Sequence, residues 1–558
     1  MKKNLIILAS GIFLLGLLCT SCQDMFETDS HSLVFEEDNQ LHSTSDSVYS
    51  VLGILSQINK IGERYVLTGE LRGDLMSTTD DAPSDMQELA NFNLSSTNCY
   101  RDLSDYYAII NNCNYAIARM DTSLLSYQTK VMLPEWVQLK TLRAWTYWQI
   151  GLLAGRVKWF TDPLLSVNEV NSNYPEISLD ELALRLIADL QPYTAERELN
   201  YGTIDGYYST QMFIPVNMLL GDLYLFLNRY DEAALAYYDV IDRHGLVLTN
   251  NYASRWARIT RESAYMNNNN SYTGEMLTTL VYSSNPVDYH PLLVRYSYND
   301  VPSIVPSTKY IDQMEHSIHY YGESSSTTVI GYFTGDLRGI ARDSKGQYMS
   351  GAYTHLTLNS REGDYIYKFV RAASSSSAGY DPANLAVQGQ LIRTRLLPLY
   401  RTPHVYLRLA EALNRSGRPT MAFSVIKYGL NNTTLNDTTR VDTSEVTYPF
   451  SEFTLARYAS NVGTATRGRG LGASYDQESF IIPERETLAD TIEFVEDLII
   501  DEMAAETAFE GNRFFDLLRV ARHRDDYPGY MADKVATRFT NAAEVRAKLM
   551  QPSAWFVK

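Results

Sequence analysis

The chain carries 558 residues, 45% of them hydrophobic and 12% aromatic, and its 66 acidic side chains outnumber 48 Lys and Arg to give a formal net charge of −18. That length and apolar content supply a large core and exclude a single small domain, and the negative charge repels phosphates, which excludes nucleic acid as a partner. Four cysteines do not make a disulfide-built scaffold.

At the amino end, Lys2 and Lys3 precede an apolar run from Leu5 to Leu18. The run is too short to span a bilayer and has the basic start and small-residue end of a secretory signal peptide. The Cys19-Thr20-Ser21-Cys22 that closes it resembles the lipobox of bacterial lipoproteins. It predicts a signal peptide over 1–21, lipidation of Cys22 and a tether over 22–45. Each buried acyl methylene contributes about 0.8 kcal/mol, so a multiply acylated terminus anchors a chain without spanning the membrane. Asp24, Glu27 and Asp29 resemble the acidic export tag of surface lipoproteins, which predicts an outer-membrane protein facing the cell exterior. Cys99 and Cys113 either pair or stand as two buried thiols, and their spacing matches no metal motif.

Helical periodicity follows. Apolar positions recur at helical spacing over 47–57 and again from Tyr106 to Met120, and a Trp- and Leu-rich helix runs over about 134–154. Ser178 and Glu181 form a capping-box pattern that opens a fourth helix, ending near Pro192. Over 214–244 the spacing Leu220-Gly221-x-x-Tyr224, Tyr230, Ala233, Tyr237 follows the tetratricopeptide pattern, with Gly221 and Ala233 where two antiparallel helices approach closely. Weaker copies stand at Leu409-Ala410-x-x-Leu413 with Gly417, Ala422 and Ile426, and at Ala144-x-x-Tyr147. Between about 250 and 400, Pro286, Pro291, Pro302, Pro306 and the Asn267–Asn270 and Ser374–Ser377 runs predict loops and short strands laid on the helical frame. Tyrosines at 282, 289, 296, 298, 310, 320 and 321 favour order in that insertion.

The stretch Glu506-Thr-Ala-Phe-Glu510-Gly-Asn-Arg513-Phe-Phe-Asp516-Leu-Leu-Arg519 reads as one helix. Glu506 and Glu510 share a face, Arg513 is placed to pair with Glu510, and Asp516 and Arg519 repeat the arrangement. Cations so close predict an ion-pair network rather than an acid and base pair. This stretch closely resembles the C-terminal signature of the SusD/RagB family of outer-membrane nutrient-binding lipoproteins. Leu142-Arg-Ala-Trp-Thr-Tyr147, Pro306-Ser307-Thr308, Gly335-Asp336-Leu-Arg338 and Tyr406-Leu-Arg-Leu-Ala-Glu-Ala-Leu-Asn414 match it in the same order. The resemblance implies a mainly α, SusD-like fold: four tetratricopeptide-like helix pairs supporting an irregular, loop-rich lobe with short strands. It implies a single domain over 46–558, with scaffold over 46–250 and 400–440, a C-terminal helix over 490–523 and a ligand lobe over 250–400. It further implies a non-catalytic protein that binds an oligosaccharide, polysaccharide or other nutrient and sits over a SusC-like TonB-dependent transporter.

A glycan site needs flat aromatic faces with amides, carboxylates or arginines beside them. Two segments supply both. The first offers Asp81, Asn98 and Tyr100; the second offers Trp256, Asn285, Tyr289, Arg295 and Tyr296. Glu315-His316-x-x-His319 would share a helix face but lacks a third metal ligand, and Arg72-Gly73-Asp74 reads as a turn. Gly468-Arg-Gly470-Leu-Gly472 lacks dinucleotide spacing, so no cofactor is expected. Two other classes stay open: a surface glycoside hydrolase built on Asp80, Asp81 and Asp85, and a helical-repeat scaffold that binds protein.

Overall fold

The computed structural model describes residues 41, 44–249, 275–282, 301–321, 331–342, 348–358, 361–366, 368, 370–372, 391–393, 396–469 and 480–557. Cys22, Trp256, Asn285, Tyr289, Arg295 and Tyr296 lie outside them.

Among the described residues, seven helices longer than one turn build the N-terminal half: α1 Thr44–Glu70, α2 Ser84–Ala90, α3 Ser104–Arg119, α4 Leu133–Ala154, α5 Leu179–Leu190, α6 Val216–Phe226 and α7 Tyr230–His244. After the strand-rich region and α8 (Thr308–Glu315) come α9 Thr402–Arg415, α10 Pro419–Lys427, α11 Thr464–Arg469, α12 Leu488–Thr507, α13 Arg513–Ala521, α14 Gly529–Ala536 and α15 Ala542–Leu549. The pairs α1/α3, α4/α5, α6/α7 and α9/α10 pack within themselves and each stacks on the next through α3 on α4, α5 on α6 and α7 on α9. This nearest-neighbour stacking is the tetratricopeptide logic, in which no single helix hairpin buries its apolar face alone.

Local sequence accounts for each element. In α5 the residues Leu179, Leu182, Ala183, Leu186, Ile187 and Leu190 form one apolar stripe and all are buried. The Ser178 hydroxyl accepts from the Glu181 N–H as the cap predicts, while the Glu181 carboxylate turns outward to Arg185 instead of closing the box. The middle helix α4 is buried on nearly every face because α1, α3 and α5 all pack on it, and it stops at Gly155, whose φ of 73° is the left-handed cap favoured by glycine. Between α6 and α7, a Cβ on Gly221 would stand 2.6 Å from the Tyr237 ring. Glycine is what lets that ring lie flat on its partner helix.

The strands are short. Described here are β1 Met76–Thr78, β2 Arg156–Lys158, β3 Glu176–Ser178, β4 Met276–Val281, β5 Ile304–Pro306, β6 Tyr353–Leu358, β7 Arg361–Ile366 and β8 Leu396–Arg401. They pair antiparallel as β1 with β5, β2 with β3, β4 with β8 and β6 with β7, and among the described residues every sheet has two strands. A continuous apolar core runs from α1 through the lobe strands to α15. Among the described residues no helix is long and apolar enough to cross a membrane.

One expectation changes. The stretch 506–519 is not a single helix: α12 ends at Thr507 and α13 starts at Arg513. Phe509 (φ 68°) and Gly511 (φ 94°) turn the chain between them. The turn lets the backbone cross α1 in direct contact, since a Cβ on Gly69 would fall 1.8 Å from the Gly511 carbonyl oxygen.

Candidate functional site

The signature acids sit in a buried ionic lattice. Glu506 meets Arg401 at 2.8 Å, Arg338 at 3.2 Å and Arg467 at 3.3 Å. Glu510 meets Arg401 at 2.8 Å and Lys368 at 2.5 Å. Arg338 also holds Asp336 at 2.8 Å and Glu502 at 2.5 Å, and Arg467 pairs with Glu275. Burial opposes ionisation of Glu510, but Arg401 and Lys368 outweigh it and hold the carboxyl at about 2. Glu506 is likewise held well below the usual carboxylate range, with Arg467, Arg401 and Arg338 overcoming its burial.

The cations come from the lobe (Arg338, Lys368), from β8 (Arg401) and from α11 (Arg467), and Glu502, Glu506 and Glu510 come from α12 and the turn after it. The lattice therefore fastens the lobe to the helical frame. Both signature carboxylates are buried and held ionised at neutral pH by their cations, so neither has the free proton or the solvent access that acid and base catalysis requires.

A second cluster lies on the other side of that turn. Arg513 reaches Asp74 at 2.6 and 2.9 Å instead of pairing with Glu510, and Lys309 shares Asp74 at 2.6 Å. The break at Gly511 swings Arg513 away from Glu510, which is why the helical pairing does not form. Glu70 accepts from the Gly511 and Asn512 N–H groups at 2.7 and 3.1 Å, at the amino end of α13. Burial nevertheless raises its carboxyl to about 7, with those backbone donors only partly compensating. Arg72 is buried with its guanidinium 4.0 Å from the centre of the Phe514 ring, so Arg72-Gly73-Asp74 is interior structure. Asp516 and Arg519 pair at 2.7 Å as expected, and Arg519 also holds Glu411 at 2.6 Å.

Of the sequence-derived ligand residues inside the description, Asp81 stands exposed on the turn before α2, 3.8 Å from Arg361 at the start of β7. The same hairpin carries His355, whose ring bridges Asp364 at 2.9 Å and Glu362 at 3.1 Å. The Asp81 turn is pinned below by Thr79, whose N–H donates to the Ser303 carbonyl at 3.0 Å and whose hydroxyl donates to the Pro302 carbonyl at 2.6 Å.

Asn98 is buried and donates to the Glu88 carboxylate at 2.8 Å and the Asp85 carbonyl at 3.1 Å, while its oxygen accepts from the Tyr100 N–H at 3.0 Å. Tyr100 is buried as well, 6.0 Å from the Arg64 guanidinium. The structure thus brings Asp81, Arg361 and the β6/β7 hairpin together on a surface, with Asn98 and Tyr100 shaping the loop behind it. Asp85 accepts from the Cys99 N–H at 3.2 Å. Cys99 and Cys113 are free thiols, and burial pushes Cys113 up to about 12. His316 closes α8 while His319 falls on the strand Ile318–Tyr321, so the two do not share a helix face, and among the described residues no three ligating side chains converge on a metal position.

Periodicity did not disclose a cavity of about 730 Å³ between the start of α3 and the β2–β3 ladder, with Tyr107, Phe160 and Tyr174 on its walls. The signal that could have found part of it is the alternation Arg156-Val157-Lys158 against Glu176-Ile177-Ser178, which turns Val157 and Ile177 into the core and leaves Arg156, Lys158 and Glu176 on the opposite face, along the cavity.

Comparison with known proteins agrees with this architecture. A family model described as the SusD family matches residues 340–552, which hold Lys368, Arg401, Arg467, Glu502, Glu506 and Glu510. A SusD-like protein of Formosa agariphila is 22% identical over 443 residues, covering 76% of this chain and 81% of that protein. Among solved structures, a SusD superfamily protein from Bacteroides thetaiotaomicron superposes with a TM-score of 0.56 at 17% identity, covering 89% of this chain and 94% of the other. NanU of B. fragilis superposes with a TM-score of 0.53 at 14% identity, covering 92% and 94%. Over residues 340–552 the chain thus matches the SusD family model, and along most of its length it shares the fold of these solved structures.

Proposed function

We propose that this protein is a non-catalytic, surface-exposed lipoprotein, anchored in the outer membrane through Cys22, that captures an oligomeric nutrient and passes it to a SusC-like TonB-dependent transporter. The nutrient class we favour is a glycan. The observation that carries the reading is the construction of the lobe: a loop-rich outgrowth is clamped to a stack of helix pairs by a buried ionic lattice, with both signature carboxylates fully engaged. Such a frame holds a binding surface rigid, and it engages Glu506 and Glu510 as ion-pair partners rather than as an acid and base pair. The surface formed by Asp81 and Arg361 supplies a carboxylate and a guanidinium for sugar hydroxyls. Trp256, Asn285, Tyr289, Arg295 and Tyr296 are the proposed remaining contacts, within a ligand lobe spanning 250–400 of the single domain 46–558.

The test uses the native membrane. A tagged copy, solubilised in mild detergent and purified, is expected to bring down a TonB-dependent barrel and to carry radiolabelled palmitate, and Cys22→Ser is expected to lose the label. A wild-type chain that is recovered free in the periplasm without label, and without a barrel, refutes the proposal.

A further inference from the structure

The cavity beside α3 is left unused by nutrient capture on the Asp81 face. Its walls are largely carbon. Leu103 and Leu164 join Tyr107, Phe160 and Tyr174, with the Tyr107 and Phe160 rings stacked at 6.0 Å and the Phe160 and Tyr174 rings 5.1 Å apart. Several of its polar groups are already bonded within the protein. The Asn111 amide donates to the Leu164 carbonyl at 3.0 Å and accepts from the Leu164 N–H at 2.6 Å. The Tyr107 oxygen accepts from the Lys158 N–H at 3.0 Å, and the Tyr174 hydroxyl donates to the Glu169 carbonyl at 3.0 Å. A sugar lying against the aromatic walls would find replacement partners for its hydroxyls mainly in the exposed Arg156, Lys158 and Glu176, leaving hydroxyls that face the carbon walls unpaired, which is unfavourable. A hydrocarbon or aryl body loses nothing of that kind, and the volume is in the range of small-molecule sites.

The mouth is charged on one side. Strand β2 buries Val157 and exposes Arg156 and Lys158 on its other face. Arg156 is held by Glu176 at 3.5 Å, whereas the Lys158 ammonium has no ionic partner among the described residues. Arg156, Lys158 and Glu176 all line the cavity, so with Arg156 paired to Glu176 the rim carries one unpaired positive charge, which favours a single anionic group on an apolar ligand. On the short helix Val167–Val170, Val167 and Val170 are 75% and 61% exposed, with Val170 on the cavity wall. Those side chains give the apolar part of such a ligand further surface to cover.

We propose that this cavity is a second binding site, which takes a small acyl or aryl carboxylate with its apolar body against Tyr107, Phe160 and Tyr174 and its carboxylate at Lys158.

Calorimetry on the mature chain tests this with octanoate, 3-phenylpropanoate, octan-1-ol and digalacturonate as probes. Both acids are expected to bind at one site, and octan-1-ol about threefold to fivefold more weakly, as the loss of one rim ion pair predicts. Lys158→Gln is expected to weaken the acids by the same factor and to leave octan-1-ol unchanged. Ala108→Trp, at an exposed position on the cavity wall, is expected to abolish binding of all three while preserving the unfolding temperature. Arg361→Ala, on the Asp81 face, is expected to change none of them. The proposal is overturned if neither acid binds, or if Ala108→Trp binds them as well as wild type does. It is also overturned if digalacturonate alone binds and Ala108→Trp removes it, since the site would then be a sugar site. A large gain in acid affinity on deleting residues 23–40 overturns it as well, by making the chain's own tether the occupant.

Discussion

Glu506→Gln is the sharpest perturbation of the lattice that joins lobe to scaffold. The side chain is 1% exposed and touches three guanidinium groups, at 2.8, 3.2 and 3.3 Å. Glutamine keeps the shape and one acceptor oxygen but removes the charge. No cation is left wholly alone: Arg401 retains Glu510, Arg338 retains Asp336 and Glu502, and Arg467 retains Glu275. The cost therefore falls near the lower end of the roughly 3–5 kcal/mol found when a buried pair loses one partner. Unfolding entropy of about 2.1 cal/mol/K per residue gives a chain of this length on the order of 1 kcal/mol per kelvin at the midpoint, so Tm falls by about 3 °C. Differential scanning calorimetry at neutral pH reads this directly.

The pH dependence supplies a second readout. The folded-state value of Glu506 is depressed, so its contribution is complete above the unfolded value of 4.5 and is lost as pH falls toward the folded one. The gap between wild type and variant should hold at neutral pH and narrow below 4.5. A double-mutant cycle with Arg467→Met should show coupling beyond about 0.5 kcal/mol. A variant melting within about 0.5 °C of wild type, or a gap that persists unchanged into acid, would refute the clamping role.

Further outcomes follow from single sites. Gly221→Ala sets a Cβ 2.6 Å from the Tyr237 ring and should cost about 1–3 kcal/mol. Gly53→Ala, mid-helix in α1 with nothing within 4 Å, should stabilise by about 0.4–1 kcal/mol, so the two glycine variants should shift Tm in opposite directions. Glu70, raised to about 7 by burial, contributes stability below the unfolded value of 4.5 that is lost as pH rises through about 7; in Glu70→Gln a pH series of denaturant midpoints should lose that decline. Asp81→Ala, at an exposed position, should leave Tm unchanged within the usual surface range of about 0.5 kcal/mol while weakening oligosaccharide binding in calorimetry.

The helical frame was legible because its signals are local. Gly221, Ala233 and Tyr237 meet across one hairpin, and the α5 stripe and its Ser178 cap lie within a dozen residues. The C-terminal signature was readable as an ionic structure, and its local Asp516–Arg519 pair with it, but the pairing of Arg513 was not, since its partner is remote. Arg513 finds Asp74 across 439 positions, and Gly511 is bonded to Glu70 across 441. The helix break has the same origin: nothing inside 506–519 says that α1 presents Gly69 to that turn. On the candidate face, Asp81 and Asn98 look alike in sequence as polar loop residues. Only the fold separates the exposed carboxylate from the amide that holds the loop onto Asp85 and Glu88. The cavity was hidden because its walls come from α3, β2, β3 and the intervening loop, each ordinary by itself.

Calorimetric titration of the purified mature chain with plant, fungal and host oligosaccharides and with peptides tests nutrient capture most directly. Saturable binding of at least one oligomer at moderate affinity, weakened in Asp81→Ala, is the expected result. Absence of binding across the whole set, from a chain that melts cooperatively, would contradict it.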